Sequence, residues 1–579
     1  MEDLILPQTV RYRVQQRIKS GDSMALKKQR IRSSFNLGGE QAEADSLLEE
    51  AFFETGDYEM IESRTESKCF VIGRTGAGKS AALSRIEDLH PEHVIRINPE
   101  DLSLPYITNL QAIRWLDSLE VNLDQFWIAL WKHVILVEVI RHRYKVDSPV
   151  AKSNMLANLR DWIRNDRTKA AALEYLDEFE GRFWCEADER VKEITDTFSQ
   201  KVSAEAGVKF GVPAIDLTAG TSGELGRSTA TRAELVDRFQ RLVNETQLAR
   251  LNKMMEILND HVLDSEQHFT YLIIDDLDRD WVDERVANDL IRCLFSTVVS
   301  LKRVTRLRIL VALRTNIFQE LDFGKRGAAQ EEKFRALVLP LRWTRTSLER
   351  LLDERVKAAT SGEEEGPKTV RALLPHANKT RGNPLDYILD RTLLRPRDAI
   401  SFVNLCLRES VDKRAVSWEA IQAAEPGYSE GRLLALRDEW KLTYPGIDQV
   451  LNKLRGCSSA MSVPEFVAVL EDIALLTAEA DFPGTQWLTT ATAGVWAAAE
   501  GEAWHVTYGP LLKVLYSLGI VGIAADGSKA PKFHLDDPAL IDRRSRMDTC
   551  KSVYVHRMLH SALDVRRPQE RRGQAPEDY

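Results

Sequence analysis

Gly73-Arg74-Thr75-Gly76-Ala77-Gly78-Lys79-Ser80 follows Cys69-Phe70-Val71-Ile72, a short apolar run that stops at the first glycine. The run reads as a buried strand. After Lys79-Ser80, the spacing of Ala82, Leu83, Ile86 and Leu89 gives a helix with one apolar face, and Pro91 closes it. Glycines let backbone amides turn inward around phosphate oxygens, where side chains would collide, and a helix starting at the lysine adds its positive end. Lys79 would put a point charge on β and γ phosphates, and the Ser80 hydroxyl would complete a magnesium shell. The stretch matches GxxxxGK[ST] in full. Gly73, Arg74, Thr75, Gly76, Ala77, Gly78, Lys79, Ser80 and Ala81 are therefore the expected nucleotide contacts, with ATP and Mg2+ as the expected ligands.

Outward from this turn, Val94-Ile95-Arg96-Ile97 is a second strand, so strand, glycine-rich turn, helix and strand open an α/β domain with a parallel sheet. The sheet resumes far along the chain. Tyr271-Leu272-Ile273-Ile274 ends in Asp275-Asp276, where the first carboxylate would hold metal and the second would orient and deprotonate a water. Asp278 offers a third acid to the same ion. Leu307 to Leu313 is another strand and is followed by Arg314, which would sit beside a γ-phosphate if that strand lies between the other two. Leu337-Val338-Leu339 makes a final strand. Leu394-Arg395-Pro396-Arg397-Asp398 opens a helix from which Arg395 or Arg397 could swing onto a phosphate, and Gly382-Asn383-Pro384 is a second candidate lid motif.

Composition bounds the alternatives. The chain has 579 residues, 44% hydrophobic and 29% charged, which fits several globular cores and excludes a disordered tail or a disulfide-stapled scaffold. Six separated cysteines without CxxC spacing read as reduced core thiols in a cytoplasm. A net charge of −9 argues against a global grip on nucleic acid. The greasiest stretch, Phe126 to Ile140, is interrupted by Lys132, His133 and Glu138 and reads as a buried helix, not a membrane span. There is no NKxD motif, nucleophile triad or histidine cluster, and the Arg371/His376 spacing is a weak ribonuclease signal.

The segments divide as a basic N-terminal arm and helix (1–54), a first core part (55–112), a helical insertion (113–264), a second core part (265–345), a helical lid (346–425), a winged-helix-like domain (426–540) and a tail (541–579). A helical pattern runs from Gln41 to Phe53 before a turn at Gly56-Asp57, and alternation over 208–217 suggests a small hairpin. Near the end, Ser462-Val463-Pro464-Glu465 is a capping box. Ile520–Ile523 and Lys532–Leu535 flank an Asp526-Gly527 turn, the sign of a hairpin.

GRTGAGKS (73–80), YLIIDDLDRD (271–280), ILVALRTNIF (309–318) and LLRPRDAISFVN (393–404) together resemble the STAND and KAP-type P-loop ATPases of prokaryotes, in the ASCE division. The resemblance covers roughly residues 55 to 540. It implies an α/β P-loop NTPase sheet with an extra strand between the glycine-turn strand and the Asp275 strand, a large helical insertion, a helical lid and a C-terminal winged helix. It further implies an ATP-driven switch that forms a homo-oligomer, acts with a separate effector protein and serves anti-phage defence. An arginine reaching a neighbouring subunit's site would lie just before the last core strand, where Arg326 and Arg335 stand. About 195 residues between Lys79 and Asp275 exceed what a minimal core needs. The alternative is a DNA-acting ATPase of loader or initiator type, although its recognition helix offers only Lys513 and its wing Lys529 and Lys532. A small-molecule kinase and a binding-only switch stand behind these.

Overall fold

The computed structural model describes residues 30–98, 111–144, 248–277, 284–321, 331–361, 366–497 and 502–566 without 526 and 529, plus short helical stretches between 157 and 241. Most of the basic arm, the 208–217 hairpin, Asp278, Arg326, Asp526 and Lys529 lie outside the described residues. The chain divides into two compact units. One is Glu40–Ser347 with Arg395–Arg397; the other is Met1–Gly39, Leu348–Leu394 and Asp398–Tyr579.

The first unit is α/β. Its strands are β1 (Phe70–Gly73), β2 (Val94–Ile97), β3 (Thr270–Ile274), β4 (Leu307–Arg314) and β5 (Val338–Pro340). They form one parallel sheet in the order β2-β3-β4-β1-β5. Alternate side chains leave a strand on opposite faces. Val71, Tyr271, Ile273, Leu310, Ala312 and Leu339 accordingly pack with Ala82, Leu83 and Ile86 of α1 (Lys79–Leu89). Phe70, Ile72, Leu272, Ile274, Ile309, Val311 and Leu313 enter a larger core with α2 (Asp124–Tyr144), α3 (Leu248–Ile257) and α4 (Glu284–Leu301). Burial on both faces explains why β1 and β3 read as apolar runs and why β4 does so except at the buried Arg308.

The greasy stretch is the middle of α2. Trp131 Nε1 donates to Leu290 O at 3.0 Å, and Arg292 of α4 donates to Asp124 at 2.9 Å. Lys132 is buried against Asn252 Oδ1 at 2.8 Å, and burial, with Arg303 nearby, pushes its ammonium down to about 8. No described helix is long and apolar enough to cross a membrane. Cys69, Cys293 and Cys406 are buried thiols.

Several local expectations change where a side chain bonds the backbone, either against a helix or as its cap. The helix expected over Gln41–Phe53 is a single 3-10 turn, Ala42–Ala44, because Asp45 Oδ1 accepts from Leu47 N–H at 3.1 Å. The turn expected at Gly56-Asp57 is instead the start of a helix, Gly56–Glu62, capped by Thr55, which accepts from Tyr58 N–H at 3.2 Å. The helical run from Ile113 breaks between Gln111–Ser118 and α2, where Glu120 takes φ 63° and Asn122 accepts from Asp124 N–H.

The second unit holds most of α5 (Arg345–Ala359) and α6 (Pro396–Arg408), then α7 (Trp418–Trp440), α8 (Val463–Ala474), α9 (Thr485–Ala497) and α10 (Gly509–Ser517). Strands β6 (Ala460–Ser462), β7 (Val521–Ala524) and β8 (Ser552–Val555) form an antiparallel sheet in the order β6-β8-β7. The capping box opens α8, with Glu465 accepting from Ser462 N–H at 2.7 Å. The expected hairpin shrinks to one bridge, Ile523 to Lys532, because Asp536 Oδ2 accepts from Phe533 N–H and closes a turn there. The strand paired along β7 is β8, so residues read as tail supply the middle of this sheet. Asn383, read as a lid motif, caps the helix Pro384–Leu389 by accepting from Leu385 N–H at 3.0 Å. A buried polar network ties the helices together. Arg391 donates to Glu425 at 2.8 Å, Tyr387 donates to the same carboxylate, Tyr428 donates to Arg391 O at 2.9 Å, and Arg432 donates to Asp398 at 2.6 Å.

Phe70 and Phe295 are fully buried and stack with ring centroids 3.5 Å apart, joining β1 to α4. Phe295→Ala should cost about 3–5 kcal/mol in chemical denaturation. A loss below about 1 kcal/mol would contradict this packing.

Candidate functional site

Parallel register gathers the expected residues at the carboxyl ends of β1, β3 and β4. Gly73 pairs with Arg314, and Ile274, the residue before Asp275, pairs with Val311. β4 lies between β1 and β3, which is the condition set for Arg314. Gly73, Arg96, Asp275 and Arg314 also share the strand parity of Val71, Ile273 and Ala312, the face covered by α1.

The glycine-rich turn has backbone demands that its sequence meets. Gly76 and Gly78 take φ of 79° and 93°, a region that costs a side chain strain. A Cβ at Gly76 would lie 2.8 Å from Arg397 Cβ, so space excludes one as well. Gly78 precedes α1, whose first two residues are Lys79 and Ser80. Ala81 follows in the same first turn. The Lys79 ammonium folds back over the turn and donates to Gly73 O at 2.9 Å.

Asp275 is 5% exposed at the end of β3. Its Oδ1 accepts from the Asp276 N–H at 2.9 Å, and its Oδ2 lies 3.7 Å from Arg96 Nη2. Arg96 also donates Nε to Glu87 of α1 at 2.8 Å. Burial pushes the Glu87 carboxyl up; Arg96 opposes that shift, while Asp88 and Asp275 add to it. Asp276 takes a left-handed φ of 57°, which Asp tolerates better than most residues. That turn swings the chain out of the sheet immediately after Asp275. A non-glycine residue with left-handed φ at a strand end is the kind of feature found at functional sites.

Arg395 and Arg397 do reach the glycine-rich turn, but at backbone carbonyls. Arg395 Nη1 donates to Thr75 O at 2.8 Å, and the Arg397 N–H lies 3.4 Å from Gly76 O. Arg397 Nε donates to Glu40 O at 2.9 Å. Arg335 ends a short helix, Glu331–Arg335, before β5. Arg326 and Asp278 lie outside the described residues.

Three contributors escaped the sequence reading. Arg96 and Glu87 form the charge pair beside Asp275, and Trp343 donates Nε1 to Ala77 O at 2.8 Å. An arginine between two isoleucines in a short strand was the available signal for the first. No cluster of three or more His, Cys, Asp or Glu side chains suited to a metal exists among the described residues, so any cation here would need ligands of mixed kind.

Fold and site define an α/β protein with a five-stranded parallel sheet, whose polar groups collect at the carboxyl edge of its central strands. Residues 346–437 match a family described as the FunZ-associated C-terminal helical domain. No curated protein matches the chain. The matched stretch contains the Arg391–Glu425 and Arg432–Asp398 pairs of the second unit.

Arg96→Met should destabilise the protein by about 1–3 kcal/mol at pH 7.5, because a buried carboxylate loses its cation. The deficit should shrink toward pH 5. Without Arg96, Glu87 loses the influence that lowers its pKa, so the folded variant takes up a proton more readily than the wild type as pH falls. Denaturation at the two pH values checks this; a deficit that grows on acidification would contradict it.

Proposed function

We propose that the chain binds ATP with Mg2+ at the carboxyl edge of the parallel sheet and hydrolyses it, as a switch of the STAND/KAP-like P-loop kind. The observation that carries this reading is the strand order: β4 sits between β1 and β3, bringing the Gly73–Ser80 turn, Arg314 and Asp275 to one edge and one face. Ligands of α/β sheets bind outside the carboxyl ends of the strands.

The residues fit the ligands. The turn has glycine at both positions of left-handed φ, which lets a phosphate approach its backbone. The Ser80 hydroxyl and the Asp275 carboxylate are hard oxygen donors suited to Mg2+. Magnesium, when bound, supplies positive charge against the phosphate oxygens. Lys79 would exchange its carbonyl partners for β and γ phosphate oxygens. Asp276 would orient the attacking water and accept its proton, and Arg314 would counter charge gathering on the γ-phosphate.

The same proposal includes a cytoplasmic homo-oligomer in which Arg326 of one copy completes a neighbour's site. A separate effector chain and a role in anti-phage defence follow from the resemblance. The second unit would then supply the helical lid and a winged helix built around β6, β7 and β8. The DNA-acting alternative has Lys513 of α10, Lys529 and Lys532 to offer a duplex, and the Lys513 ammonium already pairs with Asp542 at 3.3 Å. The switch is the better supported reading.

Lys79→Ala should lose Mg-ATP binding in calorimetry, whereas Asp276→Asn should bind with turnover reduced on the order of 10²–10⁴-fold. Full-strength ATP binding by Lys79→Ala would overturn the phosphate-site assignment.

A further inference from the structure

The carbonyls of the glycine-rich turn can be followed one at a time. Gly73 O and Arg74 O accept from the Lys79 ammonium at 2.9 and 3.4 Å, and Arg74 O also accepts from Ala77 N–H at 3.1 Å. The next three go to residues from elsewhere in the chain. Thr75 O takes Arg395 Nη1 at 2.8 Å, Gly76 O takes the Arg397 N–H at 3.4 Å, and Ala77 O takes Trp343 Nε1 at 2.8 Å.

Peptide planarity turns this into a statement about the amides. In a trans peptide the N–H points opposite to the carbonyl bonded to it. A carbonyl of Thr75 held toward Arg395 therefore aims the Gly76 N–H away from Arg395. A carbonyl of Ala77 held toward Trp343 aims the Gly78 N–H away from Trp343. Those two N–H groups belong to the residues with left-handed φ. The Arg397 stem fills the space where a Gly76 side chain would stand, with Cβ at 2.8 Å and Cδ at 3.2 Å from that position. Arg395 is only 6% exposed, as befits a structural donor more than a mobile one.

We propose that Arg395, Arg397 and Trp343 form an outer clamp that fixes the turn in its anion-accepting shape, with Arg395 a positioning residue acting through the Thr75 carbonyl. This rests on the phosphate-site reading above and gives both arginines a role at the turn's backbone in place of the expected contact with a phosphate. A clamp serves every phosphate that the turn's amides hold. A phosphate-touching arginine would instead favour ATP over ADP.

The test pairs two measurements on Arg395→Ala, Arg395→Lys and Trp343→Phe. Hydrogen exchange of the 70–80 segment is followed without nucleotide, and ATP and ADP affinities are measured by calorimetry with Mg2+. The clamp predicts faster exchange in Arg395→Ala and Trp343→Phe. It also predicts ATP and ADP both weakened by the same factor, on the order of tenfold for a lost hydrogen bond to a charged donor. Arg395→Lys keeps a donor and should recover most of both. Unchanged exchange in Arg395→Ala, or a loss confined to ATP, overturns the clamp. A wild type that binds neither nucleotide ends the phosphate-site reading, and the exchange comparison still decides the clamp.

Discussion

The register of β4 against β1 and β3 is the constraint on which the first unit depends. Leu307 to Leu313 are all buried; Leu310 and Ala312 enter the core under α1, Leu307, Ile309, Val311 and Leu313 the core under α2, α3 and α4, and Arg308 donates to backbone carbonyls. Strand side chains repeat every two residues, so a slip of one would exchange the two faces along the whole strand. The same register sets Arg314 opposite Gly73. Packing of apolar side chains thus determines which polar groups meet at the carboxyl edge, and neighbouring strands about 4.8 Å apart leave the site little room for adjustment.

Much of this was legible because the central strands of a parallel sheet are buried on both faces. Phe70 to Ile72, Tyr271 to Ile274 and Ile309 to Leu313 stand out as apolar runs, and Gly73, Asp275 and Arg314 mark where each one ends. The glycines at 76 and 78 announced a backbone conformation that other residues resist, and both adopt it. What stayed hidden depends on partners distant in sequence. Arg96 looks like a solvent-facing position until β2 pairs with β3 and brings Asp275 alongside. Trp343 looks like a core aromatic until its ring N–H finds Ala77 O. β8 contributes only Val553 and Val555 to the buried side, too short an alternation to separate from loop before its pairing with β6 and β7 is known.

The second unit follows a different rule. Its helices enclose charged pairs, with Asp398 only 1% exposed beside Arg432, and Arg391 and Glu425 both buried. Such pairs contribute little net stability once desolvation is counted, but removing one partner leaves a costly buried charge. They therefore constrain which helix faces can meet. That constraint lies inside the stretch matching the FunZ-associated helical domain, whose matched boundary falls within α7.

The proposed function requires the turn at Gly73–Ser80 to bind the β and γ phosphates of a nucleotide. Calorimetric titration of the wild-type chain with ATP, ADP and AMP, with and without Mg2+, tests it most directly. A phosphate-binding turn gives one site per chain, ATP and ADP binding strengthened by Mg2+, and AMP binding at least about two orders of magnitude weaker, roughly the loss of several charge-assisted hydrogen bonds. AMP bound as tightly as ATP, or no binding of ATP, would contradict it.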